Sequence, residues 1–331
     1  MADLKTKYMG LELRSPIIAG SCGLTSDVEK MVEMEKAGVG AVVLKSIFEE
    51  QINEETSGVF KAGYGMGDAY PEAEDYIKAY IRSNTIQKYV ELVRNAKSRL
   101  TIPVIASVNC FSGGEWVSFA RQLEEAGADA LELNVFILPV NEFKESAEVE
   151  NVYFEIVKSI KSQIKIPVSV KISHYFTNLS AFVDKIKAYG ANATTLFNRF
   201  YEPDININTL EMGAASVFSS AAELRTTLRW TGILAGKDKR LEISASTGVH
   251  SGEAAVKLLL AGATTVQVCS VLYEKGIHVI EDINNFIGKW MDSKAFKTIE
   301  DYRGMLSYSS IENPDLYERA QFMKYFSNKQ Y

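Results

Sequence analysis

The chain has 331 residues, 47% of them apolar and 24% charged, and carries a net charge of −6 at neutral pH. That length suits one large α/β barrel with insertions better than two average domains, so a single domain over residues 1–331 is expected, with enough apolar residues to fill its core. Scattered basic residues on an acidic chain exclude nucleic acid as a partner, and no stretch reads as a membrane span or signal peptide, so a cytoplasmic protein is expected.

Eight apolar, β-rich segments follow one another at 16–19, 41–45, 104–109, 130–135, 168–172, 193–198, 241–245 and 265–269. Their nearly continuous apolar character predicts strands buried on both faces of a parallel sheet. Helical patterns lie between them. Trp116, Phe119, Ala120 and Leu123 fall at i, i+3, i+4 and i+7, as do Leu179, Phe182, Val183 and Ile186, each giving one apolar stripe to lay against a barrel. A weak internal repeat places Gly38, Gly127, Gly190 and Gly262 where a helix ends and a short turn leads into the next strand. Pro103 and Pro167 open two strands, where a proline costs no ladder bond. The fold class is α/β, a (β/α)8 TIM barrel.

Three connections, 47–84, 136–147 and 199–220, are too long for simple turns. All leave the C-terminal face of the barrel, where barrel active sites lie, so they should form the substrate pocket and its lid. The stretch 277–331 reads as helical packing anchored by Trp290, Phe322 and Phe326. Cys22, Cys110 and Cys269 are odd in number and lack C-x-x-C spacing, which argues against disulfides, zinc or an iron–sulfur cluster; no metal is expected. All three fall at predicted strand ends and read as core or loop thiols.

The last two strands carry the strongest functional signal. Ser246, Thr247 and Gly248 follow one, Cys269 and Ser270 the next, and small residues there let backbone N–H groups and hydroxyls approach an anion. Helices beginning near Gly252 and Leu272 would aim their positive ends at the same place. The competing reading makes Gly248 and Gly252 ordinary turn residues; two such strand ends in succession favour a phosphate site.

A buried strand that ends in a charged or amide residue puts that group at the barrel mouth. The inventory is Lys45 and Ser46, Asn109, Asn134, Lys171 and Asn198, with no Asp or Glu at those strand-end positions. Such a set suits an electron-rich heterocycle and can stabilise developing negative charge; it does not suit metal hydrolysis. Lys45 and Lys171 have an alternative reading as lysines snorkelling out of the barrel end, and another as Schiff-base lysines of an aldolase or isomerase. His174, His250 and His278 are spread out and read as satisfied polar residues.

The segments 13–21, 41–46, 130–134, 168–171 and 264–276, in this order and spacing, resemble the dihydroorotate dehydrogenase family of FMN-dependent barrels, and among these the soluble members. The resemblance implies FMN as cofactor, with Ala19 and Gly20 along the flavin, Lys45 and Ser46 in contact near the substrate, and Lys171 beside the N1/O2 edge, where a cation stabilises the anionic reduced ring. It implies that Thr247, Gly248, Cys269 and Ser270 cradle the phosphate, with Ser219 and Ser220 at cofactor-binding positions where the family carries glycines, and that Asn109, Asn134 and Asn198 reach the flavin or a pyrimidine-like substrate. Lys45, Asn134 and Asn198 then stand closest to the chemistry. Family members remove a substrate proton with a Cys or Ser base while hydride passes to flavin N5, and a homodimer is expected. The chain departs from that pattern: the segment that carries the base reads 134–141 Asn-Val-Phe-Ile-Leu-Pro-Val-Asn, with Ile137 at the base position, and 69–76 is also changed. Tyr64, Tyr70, Glu72, Cys110 and His174 are candidate replacements. A flavin-binding paralogue with altered or lost catalysis is the alternative.

Overall fold

A computed structural model describes residues 2–48, 71–109, 116–199 and 202–318. The chain begins with an antiparallel hairpin of β1 (Thr6–Tyr8) and β2 (Leu11–Leu13). The barrel follows with β3 (Ile17–Ala19), β4 (Ala41–Val43), a short β5 (Ile47–Phe48), β6 (Val104–Asn109), β7 (Ala130–Asn134), β8 (Val168–Ile172) and β9 (Ala193–Leu196). After a second hairpin of β10 (Pro203–Asn206) and β11 (Glu211–Ala214), the strands β12 (Glu242–Ala245) and β13 (Thr265–Val268) complete it. Every neighbour in the ring is parallel, and the β13–β3 and β4–β6 pairings close eight strands into the expected (β/α)8 barrel.

Helices flank the ring as the apolar stripes require. Leu179, Phe182, Val183 and Ile186 are buried on helix Leu179–Ala188, and the Phe182 ring stacks on Phe176 with centroids 3.8 Å apart. Phe119, Ala120 and Leu123 are buried in the same way, while the Trp116 side chain lies outside the described part. The repeat glycines Gly38, Gly127, Gly190 and Gly262 have φ of +95°, +97°, +113° and +116°, the left-handed turn that ends a helix at no steric cost.

Two cores result. The larger lies between strands and helices, and the smaller fills the bottom of the barrel, where Tyr8, Met9 and Leu13 of the N-terminal hairpin pack on Ile18, Ala41, Val43, Ile105, Ala130 and Ala193. The hairpin is thus a floor, and it tells inside from outside. Ala130 faces the interior, so alternation along β7 sends Glu132 and Asn134 inward too.

The structure revises several expected boundaries. The strand expected over 41–45 breaks after Val43; the chain steps out through 44–46 and returns as β5, which pairs higher on β6 at Ile47↔Val108. Lys45 is left exposed by that step. The long connection 199–220 contains the β10–β11 hairpin, whose eight strand residues are all exposed and so show no apolar alternation. In 47–84 the helix Pro71–Arg99 begins already at Pro71. The last barrel helix, expected near Leu272, begins at Ser270 and runs only to Lys275, whereas helix Gly252–Ala261 starts as expected. Trp290 packs against Phe296 and Tyr302; Phe322 and Phe326 lie outside the described residues, as do Cys110, Tyr64 and Tyr70. Among the described residues no helix is long and apolar enough to cross a membrane.

Candidate active site

The polar interior begins one layer above the apolar floor. Tyr8 Oη donates to Ser169 Oγ (3.1 Å), Ser169 Oγ meets Thr195 Oγ1 (3.0 Å), and Thr195 Oγ1 donates to Glu132 Oε2 (2.9 Å). Gln267 Nε2 donates to the same carboxylate oxygen (2.8 Å). Burial holds the Tyr8 phenol well above its usual range, so this chain keeps its proton at the floor. At the upper end Lys171 Nζ stands 3.9 Å from Glu132 Oε1, with the two side chains 9% and 1% exposed. An isolated buried charge is costly, so each of these groups fixes the other. Glu132 Oε1 and Gln267 Oε1 are buried with no hydrogen-bond partner among the described residues.

Above this pair opens a cavity of about 450 Å³, and Lys171 and Gln267 line its inner end. Its outer end is lined by Ser219, Thr247, Gly248 and Ser270. Thr247 and Gly248 both have φ of +79°, successive left-handed residues of the kind that turn backbone N–H groups to one side. Thr227 holds the loop from behind by donating to the Ser246 carbonyl (2.9 Å), and Thr247 Oγ1 donates to the Phe197 carbonyl (3.1 Å). A Cβ on Gly248 would lie 2.2 Å from the Leu224 nitrogen, so only glycine lets the loop approach helix Leu224–Lys237.

The expected site residues fall into three groups. Lys171, Asn198, Ser219, Thr247, Gly248, Cys269 and Ser270 line the cavity together. Ala19, Gly20, Ser46, Asn109 and Asn134 support it: Asn198 Nδ2 donates to Asn134 Oδ1 (2.6 Å), Ser46 Oγ links Ser21 Oγ (3.0 Å) to Ser107 Oγ (2.7 Å), and Ala19, Asn109 and Asn134 are buried. A Cβ on Gly20 would meet Cys269 Sγ at 2.5 Å and Gln267 Oε1 at 3.0 Å, so its hydrogen is what leaves room for those side chains. Lys45 and Ser220 stand apart. Lys45 is exposed, and its backbone nitrogen donates to the Thr25 carbonyl (3.3 Å); Ser220 is exposed and caps the next helix, its N–H donating to Glu223 Oε1 (2.6 Å).

Sequence reasoning passed over Glu132 and Gln267, both found by counting every second residue inward along β7 and β13. It also passed over the cavity side of Cys22, whose thiol is pulled down to about 6 by a hydrogen bond from Cys269, with backbone N–H groups of Leu24 and Thr25 helping; the Cys269 thiol is raised in turn. His250, read as a satisfied polar residue, bridges Ser219 Oγ (Nε2, 3.1 Å) and Glu274 Oε2 (Nδ1, 3.1 Å). At the position where the family carries its base, Ile137 is half-buried; its side chain packs against the larger core and its backbone N–H donates to the Tyr153 hydroxyl (3.1 Å).

A closed parallel barrel with its polar chemistry gathered above an apolar floor, at the C-terminal mouth, defines a (β/α)8-barrel protein of the kind that works on a small molecule at that end. The family model for dihydroorotate dehydrogenase matches residues 3–291, and the chain belongs to that family, whose members are oxidoreductases acting on CH–CH groups. It is 30% identical over 92% of its length to the catalytic subunit of a dihydroorotate dehydrogenase B (NAD(+)) from Thermoplasma acidophilum, covering 99% of that protein. Similar catalytic subunits from Thermoplasma volcanium and Pyrococcus furiosus are 27% and 26% identical over 92% of the chain each, with 99% and 98% of those proteins covered.

Proposed function

We propose that the cavity holds FMN and that the protein oxidises dihydroorotate or a similar dihydro-heterocycle. The residues present fit such a cofactor on two counts: the Gly248 turn leaves main-chain N–H groups and the Ser219 and Ser270 hydroxyls for a phosphate, and Lys171 stands beside orphaned acceptors on Glu132 and Gln267 at the opposite end. Bound FMN would supply the hydride acceptor at N5. Thr247, Gly248, Ser219 and Ser270 would bind the phosphate; Lys171, 3.9 Å from Glu132, would balance negative charge on the reduced ring; Asn198, braced by Asn134, would present an amide to the ring or a pyrimidine-like substrate, with Asn109 beside them. The expected roles of Lys45 in the reaction, and of Lys45, Ser46, Ala19, Gly20, Ser220 and Cys269 near the cofactor, belong to the same proposal. The single observation that carries it is a compensated, buried lysine at one end of a cavity whose other end is built for an anion.

The test is spectral. Purified protein, or protein reconstituted with FMN, should show flavin absorbance, and anaerobic dihydroorotate should bleach it; protein that takes up no flavin under either condition overturns the proposal. Ile137 favours one competing reading, a flavin-binding paralogue with altered catalysis, because no side chain from 135 to 140 can accept a proton. That reading is recognised by flavin uptake without bleaching by any dihydropyrimidine. A homodimer is also proposed, since Ile205, Ile207, Leu210 and Met212 on and between β10 and β11 are exposed apolar side chains for a second copy to cover.

A further inference from the structure

Behind the anion end of the cavity lies a three-residue relay that the reading above does not use. Glu274 Oε2 faces His250 Nδ1 at 3.1 Å, and His250 Nε2 faces Ser219 Oγ at 3.1 Å. Ser219 Oγ in turn donates to Ser270 Oγ (3.1 Å), which also accepts from the Ser219 backbone N–H at 3.0 Å. Ser219 is 7% exposed and lines the cavity, while the His250 side chain, 14% exposed, stands behind it. We propose that His250 is a positioning residue that, by taking up a proton, turns the Ser219 hydroxyl from the imidazole onto Ser270 and so frees the Ser270 hydroxyl hydrogen for a bound phosphate monoester. The proposal rests on the FMN reading and deepens it, making cofactor affinity respond to pH.

A carboxylate accepts only, so Glu274 takes the proton on Nδ1. In the neutral ring Nε2 is then an acceptor; the one hydroxyl hydrogen of Ser219 goes to it, and the Ser219 oxygen takes the hydrogen of Ser270, 3.1 Å away. In the imidazolium Nε2 becomes a donor, Ser219 Oγ accepts from it, and the hydroxyl hydrogen goes to Ser270 Oγ (3.1 Å). Ser270, already an acceptor from Ser219, can then turn its own hydrogen to the ligand. A phosphate monoester dianion accepts at every oxygen, so it prefers the second arrangement.

The other charged groups around the ring do not replace this switch. Lys275 Nζ, beside Glu274 on the same short helix, donates to the His250 backbone carbonyl (3.1 Å) and not to the ring. Beyond Ser219, Glu223 is taken by Arg199 (3.0 Å) and by the Ser220 N–H. Glu253, on the helix that follows His250, is paired with Lys257.

The test compares FMN affinity, read by flavin fluorescence, from about pH 8 to about pH 5.5 in wild type, His250→Gln and Ser219→Ala. The phosphate's own second proton, lost near about pH 6, affects all three equally and cancels in the ratio. Wild type should gain about tenfold in affinity over each variant as pH falls, the size of a charge-assisted against a neutral hydrogen bond, and riboflavin, which lacks the phosphate, should show no such gain. In parallel, the His250 ring resonances are titrated with and without inorganic phosphate, which should move their midpoint up by about one pH unit in wild type and not in Ser219→Ala. FMN binding with the same pH dependence in wild type and His250→Gln overturns the relay and leaves the flavin reading standing. No FMN binding at any pH, with the phosphate-induced shift present, overturns the flavin reading and leaves the relay at an anion site. Neither FMN binding nor a phosphate shift overturns both.

Discussion

Lys171 and Glu132 sit on neighbouring strands, both buried, with Nζ and Oε1 3.9 Å apart, and so form a charge pair inside the barrel just short of direct hydrogen bonding. Lys171→Met should therefore cost about 3 kcal/mol of stability, because it strands a carboxylate that is 1% exposed, and adding Glu132→Gln should recover most of that loss. Urea unfolding of the two single variants and the double variant measures the coupling. Additive losses would show that the pair does not interact.

The Gly248 turn gives a second expectation. With φ of +79° and the Leu224 backbone 2.2 Å from any Cβ, Gly248→Ala should lower stability by about 2 kcal/mol or more and abolish FMN uptake. Thermal melting and flavin titration report the two effects separately. An alanine variant that melts and binds like wild type would show that the loop is not held against helix Leu224–Lys237.

The thiols make a third expectation about pH. With its thiol lowered to about 6, Cys22 is a thiolate at neutral pH and becomes a thiol only as pH falls below that value. Alkylation by iodoacetamide, followed on the Cys22 peptide by mass spectrometry, should reach half its maximal rate near pH 6, and Cys269→Ala should move that midpoint up because it removes the hydrogen bond that holds the charge. A midpoint near the value of an ordinary thiol in the unaltered protein would contradict the Cys22–Cys269 contact.

The fourth expectation concerns assembly. Ile207, at the tip between β10 and β11, is 80% exposed, and Leu210 is 85% exposed. If the proposed homodimer forms through this hairpin, Ile207→Glu and Leu210→Glu together should convert it to a monomer in sedimentation without lowering the melting temperature of the barrel, since neither side chain belongs to its core. A dimer that persists places the contact elsewhere.

Much of this was legible in the chain. The strands at 104–109 and 168–172 have the bounds read from their apolar runs, because interior strands need both faces apolar and little else competes for such residues. The four repeat glycines announced their turns because few other residues adopt that backbone. Lys171 could be placed at the mouth because β8 is regular through it, and Asn198 because it follows the end of β9 at Leu196 by only two residues. Lys45 could not, because β4 breaks at Val43 and the alternation that would aim residue 45 inward is lost in the step. Glu132 was hidden by its neighbours: Leu131 and Leu133 make the segment look uniformly apolar, and only the period of two shows that residue 132 faces the same side as 130 and 134. His250 and Glu274 lie 24 positions apart, and no local pattern reveals that their side chains meet at 3.1 Å.

The hydroxyl chain from Tyr8 through Ser169 and Thr195 to Glu132 makes the seat of the first hairpin part of the electrostatics at the opposite end of the barrel. A fusion or label that pulls residues 6–13 away from Ile18 and Ala130 would do more than open the base to solvent. Water would climb a ladder of side chains otherwise sealed, reach the carboxylate that anchors the lysine, and weaken the field that the lysine projects on whatever rests above it, so damage at one extremity would be felt as detuning at the other.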